Sequence, residues 1–122
     1  MKQTENGKDW YKNPRWLKLR EQVLKRDAYL DQVKMRHGIF RAAQIVHHIF
    51  PREHFPEYQY ETWNLISICR DTHNQLHDRT TDLLTQKGID LLLRTCRKNK
   101  MKVPEKYLEY IKQNTINTNW RR

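Results

Sequence analysis

Two cysteines in 122 residues cannot build a disulfide framework, and Cys69 and Cys96 suit a reducing compartment better. No apolar run approaches the ~18 residues that a membrane-crossing helix needs. The stretch Met1–Asp9 is polar and lacks the apolar core of a secretory signal. A cytoplasmic protein without a membrane partner is expected. Internal repeats and low-complexity tracts are missing too, which excludes a solenoid or a linker-like chain. What remains fits one folded domain of ordinary size. Hydrophobic residues make up 37% and charged residues 31%, so the core is small and the surface highly charged. Aromatics reach 11%, with four Trp, which is too rich for a disordered chain.

Basic charge is scarce in the middle and gathered at both ends. The net charge is +10, and its distribution is uneven. Residues 1–41 carry a net of +6, residues 42–80 a net of −2, and residues 81–122 a net of +6. The middle stretch holds five of the six histidines. Basic flanks around a histidine-rich centre point to arms that hold a polyanion against a site that does chemistry.

The pattern of apolar residues predicts the elements. Trp10–Asp27 reads as a helix, with Asn13 as N-cap, Pro14 at the first helical position, and an apolar stripe of Trp16, Leu19, Val23 and Leu24. Ile39–His48 reads as a first strand or its approach, Pro51–Tyr60 as a loop, and Asn64–Cys69 as a second strand. A helix is expected from Asp71 to about Thr85, with Thr72 and Gln75 as a capping box. Gly88 is expected to break the pattern before a helix over Ile89–Lys98, and Pro104 to open a last helix through about Gln113. The tail 114–122 reads as frayed.

His73 and His77 lie four apart, which in a helix puts both imidazoles on one face, close enough to share a metal ion. His47 and His48 end the first predicted strand, and Asn64 starts the second. A hairpin folded back on the helix would let His47 or His48 join that ion. Three protein ligands leave positions for water and a phosphate oxygen, as a catalytic site requires. The other histidine of the pair would then be free to act as a general base.

These residues resemble the HNH endonuclease family with its ββα-metal fold. The match runs through Val46-His47-His48-Ile49, then Asn64-Leu65-Ile66-Ser67-Ile68-Cys69, then His73-Asn74-Gln75-Leu76-His77. The spacings of nine and four residues are similar to those of colicin-type HNH nucleases. The lead segment Trp16-Leu17-Lys18-Leu19-Arg20 and Val23-Leu24-Lys25-Arg26-Asp27 resembles that of small phage-borne HNH proteins, so the likeness covers about residues 10–80.

The resemblance implies an α+β fold: a ββα-metal (His-Me finger) core with an N-terminal helix and C-terminal helices. With the chain's own patterning, a disordered lead over 1–9, a nuclease domain over 10–88, and a basic helical extension over 89–122 packed on the same domain are expected. His47, His73 and His77 would bind one divalent ion, with Mg2+, Mn2+, Ni2+ and Zn2+ all open. His48 would be the general base, and Asn64 would brace the loop between the strands. Double-stranded DNA is the implied substrate, cut to a 5′-phosphate and a 3′-hydroxyl. A phage terminase subunit is an implied partner inside a bacterial host, with the chain a monomer or weak dimer.

Many phage-type relatives hold a structural zinc with two Cys-x-x-Cys pairs. Those positions fall here near Asp31 and Lys34, and at Cys69 and Thr72, so one thiolate is left and no structural zinc is expected. Apolar packing by Tyr29, Leu30, Val33 and Met35 is the expected replacement. Arg79 is a candidate phosphate contact, and Arg94, Arg97, Lys98, Lys100 and Lys102 form a basic run suited to a duplex backbone. No residue reads as a base-specific reader. Two competing readings stand beside the nuclease: a non-catalytic ββα DNA-binding module, and a nuclease for RNA or single strands that stacks bases on Trp63 or Tyr60.

Overall fold

The computed structural model describes residues 9–81 and 83–118. The chain forms two compact units, Met1–Thr72 and His73–Arg122. The expected lead lies outside the described residues, except for Asp9.

In the first unit, a short 3-10 turn over Trp10–Lys12 leads into helix α1, Pro14–Arg26. The Asn13 side chain caps α1 by accepting the N–H of Trp16 at 2.7 Å, and Pro14 enters with its φ preset. Trp16, Val23 and Leu24 are buried and cluster with Ala43, Val46 and Leu65. The helix end is tied down by charge. Arg26 pairs with Asp27 at 2.8 Å and donates to the carbonyls of Thr62 and Leu65, while Asp27 accepts the N–H of Ser67 at 3.0 Å. Ala28 and Tyr29 then turn the chain at positive φ. A short helix α2, Gln32–Met35, follows, capped by the Asp31 side chain.

Strands β1 (Ile45–His48) and β2 (Leu65–Ile68) pair antiparallel, with Val46 opposite Ser67 and His48 opposite Leu65. The first strand is shorter than expected. Residues 41–43 bond to 29–31 instead, through Asp31 N–H to the Arg41 carbonyl and Ala43 N–H to the Tyr29 carbonyl, so Ile39 and Phe40 stay exposed. The loop after β1 carries its own small aromatic core. Phe50 meets Phe55 and Tyr58 at 5.0 and 5.2 Å, and Tyr58 meets Trp63 at 4.9 Å.

Helix α3 spans Arg70–Leu76, and the division between the units falls after Thr72. The helix expected to reach Thr85 ends at Leu76. Residues 78–82 are all polar, so a helix there would have no stripe to bury. The chain instead makes β3 (His77–Asp78) and β4 (Leu83–Leu84), a minimal antiparallel pair. Thr72 lies inside α3 rather than at its start, so the expected capping box does not form there.

In the second unit, helix α4 spans Gln86–Lys98 with Thr85 as N-cap, and α5 spans Glu105–Thr118, five residues longer than expected. Gly88 sits inside α4 instead of breaking it. A Cβ at Gly88 would come within 2.3 Å of the Leu76 carbonyl oxygen, so the glycine allows a close approach there. Ile89, Leu91, Leu92 and Cys96 of α4 are buried, as are Tyr107 and Tyr110 of α5. The Tyr110 hydroxyl accepts the Leu84 N–H at 2.7 Å. No helix among the described residues is long and apolar enough to cross a membrane.

Candidate active site

Successive side chains of a strand point to opposite faces. His48 shares its face with Val46, toward α1, and His47 takes the other. His48 is buried and its ring stacks on Trp16, with centroids 5.0 Å apart and planes 24° apart. Trp10 and Tyr11, from the turn ahead of α1, stand 5.7 and 6.4 Å from the same ring. Its Nε2 lies 3.1 Å from the Gln59 carbonyl. A carbonyl only accepts, so Nε2 carries the hydrogen and Nδ1 keeps the lone pair. Burial pushes the His48 pKa down to about 4; the Gln59 carbonyl works the other way, and the Arg52 charge adds to the lowering. His48 is therefore neutral at pH 7 and able to accept a proton.

Asn64 is fully buried at the end of a 3-10 turn that leads into β2. Its Oδ1 accepts the Phe50 N–H at 2.7 Å, and its Nδ2 donates to the carbonyls of Phe50 and Tyr58 at 3.2 Å each. The Asn64 carbonyl accepts the N–H of Ile49 at 2.8 Å. One side chain thus closes both ends of the loop that holds Gln59.

His73 lies in α3, and His77 is the first residue of β3 rather than a helical one. Their rings still lie parallel, 9° apart, with centroids 5.7 Å apart. Rings this close would be the ones to hold a divalent ion, which would supply positive charge to a phosphate. Among the described residues no group of three or more His, Cys, Asp or Glu is gathered as a metal cluster. His47 is buried in the first unit, on the face of the sheet away from His48.

The positions of the structural zinc hold a different centre. Asp31 is fully buried, and its carboxylate accepts the N–H groups of Lys34 at 2.7 Å and Cys69 at 2.8 Å. Thr72 also bonds to it, and Cys69 Sγ lies 3.5 Å from Thr72 Oγ1. Lys34 reaches Asp71 at 3.5 Å. One thiol, an ammonium, a hydroxyl and a carboxylate already taken up by N–H groups do not fit a tetrahedral zinc. The replacement is a polar knot, not the expected apolar packing; Tyr29 is exposed and Leu30, Val33 and Met35 are half-buried.

Similarity to known proteins agrees with this geometry. The HNH endonuclease family profile matches residues 35–79. The fold is similar to the crystal structure of a deep-sea thermophilic bacteriophage GVE2 HNH endonuclease with manganese ion, at 30% identity and a TM-score of 0.57. That likeness covers 60% of this chain and 79% of the phage protein. No curated protein matches the chain.

The chain belongs to the HNH endonuclease family.

This HNH endonuclease has the ββα-metal fold within an α+β chain. The expected phosphate contacts lie in the second unit and are all exposed: Arg79 beyond β3, Arg94, Arg97 and Lys98 on α4, and Lys100 and Lys102 after it. Sequence reasoning missed four residues around His48. Trp16 reads as core from its periodicity and is core, but it also stacks on the His48 ring. Gln59 and Arg52 carry no pattern of their own, because only the closed loop brings them to His48, and Trp10 reaches it from the turn ahead of α1. Of the aromatics offered for base stacking, Trp63 packs on Tyr58 and Tyr60 on Trp10.

Proposed function

We propose that this HNH endonuclease cuts the phosphodiester backbone of duplex DNA with His48 as general base. The observation that carries the reading is the held ring of His48, stacked on Trp16 and bonded through Nε2 to Gln59. A base must hold its lone pair ready and stay put. The Gln59 carbonyl meets the first need by taking up the Nε2 hydrogen, and Trp16 meets the second. Nδ1 takes a proton from water as the water oxygen bonds to phosphorus. The bond from phosphorus to the 3′ oxygen breaks, and that oxygen takes a proton from solvent water while the His48 proton returns to solvent, leaving a 5′-phosphate and a 3′-hydroxyl. Asn64 acts through the loop, by holding Gln59 at its distance.

His73, His77 and His47 would hold one divalent ion, and the parallel pair of His73 and His77 supports the first two. Such an ion supplies positive charge against the phosphate oxygens and the leaving oxygen. The ion is left as Mg2+, Mn2+, Ni2+ or Zn2+, although the similar phage protein was crystallised with manganese. That likeness also supports a phage or prophage source. A terminase subunit is the proposed partner, which co-purification from an infected host would test.

The test is cleavage of a supercoiled plasmid across a panel of divalent ions, beside His48→Ala and a chelated control. Wild type should cut with at least one ion and stop on chelation. His48→Ala should lose about 10²–10⁴-fold in rate while still binding DNA. Wild-type cutting by the variant would overturn the assignment of the base. Binding without cutting under every ion would favour the DNA-binding module.

A further inference from the structure

We infer that Arg15 and Arg52 are the clamps that grip DNA backbone phosphates on either side of the cut, an inference that rests on the nuclease reading above. The observation is a run of stacked groups beside His48. The Arg15 guanidinium carbon lies 3.8 Å from the centre of the Tyr60 ring. Tyr60 lies 5.4 Å from Trp10, their planes tilted by 30°. The Arg52 guanidinium carbon lies 4.6 Å from Trp10 and 5.1 Å from Tyr11. Both of those rings also flank His48. The run therefore goes from Arg15 through two rings to Arg52, and the base sits against its middle.

The chemistry favours phosphate as the partner. A guanidinium carries its five N–H donors in its plane, so an aromatic ring under its face leaves the donor edge aimed outward. That edge matches the two oxygens of a phosphate, and stacking removes the side-chain freedom that binding would otherwise cost. Arg15 is exposed in the first turn of α1 and makes no ion pair with the described residues. Arg52 follows His48 by four residues in the loop that Asn64 closes, so its place is set by the same bonds that set the base. Arg94, Arg97, Lys98, Lys100 and Lys102 are exposed and make none of the cation–ring contacts found for Arg15 and Arg52 among the described residues, and suit looser attraction to the polyanion.

The test is the salt dependence of duplex binding by the full chain, measured with chelator present so that nothing is cut. Each phosphate contact adds about 0.9 to the slope of log affinity against log salt between about 50 and 200 mM. Arg15→Gln and Arg52→Gln should each lower the slope by about 0.9, and the pair by about twice that. Lys25→Gln removes the same charge from an exposed site on α1 and should leave the slope unchanged. Unchanged slopes in the arginine variants, or equal loss in all three, would overturn the clamp. Arg15 is exposed, so Arg15→Gln decides the matter even if Arg52→Gln fails to fold. The readout involves no cleavage. A wild type that binds but never cuts fails the nuclease reading alone, and one that cuts with unchanged slopes in both variants fails the clamp alone.

Discussion

The carboxylate of Asp31 accepts the backbone N–H of Cys69 at 2.8 Å, joining the start of α2 to the end of β2. Its other oxygen accepts the N–H of Lys34. Removing the carboxylate strands two buried donors, each at a cost of about 1–3 kcal/mol. Asp31→Ala should lower stability by about 2–4 kcal/mol, read by denaturant unfolding. Burial works to raise the Asp31 pKa, but the bonds from Cys69, Lys34 and Thr72 together outweigh it and leave it below the ordinary 3.8. A depressed carboxyl stabilises the fold at pH values above its unfolded value. That contribution fades as the pH falls from about 4 through the lower folded value. The wild type should thus lose stability over that acid range, and Asp31→Asn should not lose this part of it.

The polar knot also makes a constructive prediction. Asp31, Lys34, Cys69 and Thr72 are already neighbours through bonds of 2.7 to 3.5 Å. The triple variant Asp31→Cys, Lys34→Cys, Thr72→Cys adds three thiols beside Cys69. It should bind one zinc per chain, measured by metal analysis after dialysis, and melt higher with zinc than after chelation. A variant that folds but takes up no zinc would show that the four positions have drifted from zinc geometry.

The hairpin was legible because its chemistry is carried by short-range patterns. Ile45, Val46 and Ile49 frame His47 and His48, Leu65 to Ile68 is a mostly apolar run of strand length, and Asn64 stands just ahead of it. The cap of the N-terminal helix was legible, since Asn13 and Pro14 are local signals, but the helix expected from Trp10 is a 3-10 turn until Lys12. Two features were hidden for one physical reason: their partners are distant in sequence. Asp31 looks like any surface carboxylate until Cys69, 38 residues on, donates to it. Gly88 looks like a helix breaker until the Leu76 carbonyl is seen against it. The i, i+4 spacing of His73 and His77 predicts one helix face, and their rings do lie parallel, but a helix end and a strand start hold them there.

Asn64 makes three side-chain hydrogen bonds to the loop after β1, and no other residue type of its size offers both a donor and an acceptor there. Asn64→Asp keeps the acceptor for Phe50 N–H but sets a carboxylate against two carbonyls. It should destabilise more than Asn64→Ala relieves, and both should loosen the loop. Hydrogen exchange at the Phe50 amide is the direct measurement. Faster exchange there with an unchanged core pattern is expected, and cleavage should fall with it because Gln59 no longer holds the His48 ring.

Gly88→Ala tests the second unit. The added Cβ would meet the Leu76 carbonyl at 2.3 Å and Leu84 side-chain atoms at 3.0 and 3.2 Å. A backbone oxygen cannot swing away as a side chain can. The usual gain from replacing a helical glycine with alanine, about 0.5–1 kcal/mol, should be reversed. A net loss of about 1–3 kcal/mol is expected from overpacking. A rise in melting temperature would mean that α4 can shift from β4 at little cost.

His73 and His77 test the metal reading without any cleavage. Their parallel rings, 5.7 Å apart, offer two nitrogens of the kind that bind transition ions. Manganese titrated into the full chain by calorimetry should show one site. Loss of a residue that only supports a metal ligand commonly costs about 10–100-fold in affinity, so loss of a ligand itself should cost at least as much. His73→Ala and His77→Ala should each weaken binding by about tenfold or more by that standard. His37→Ala is the control, since His37 is exposed in the turn after α2 and should leave affinity unchanged. His47→Ala separates a two-histidine site from a three-histidine one: an equal loss assigns it as the third ligand, and unchanged affinity removes it from the set. Manganese bound as tightly by the His77 variant as by wild type would mean that the two stacked rings are a packing contact and that the ion sits elsewhere.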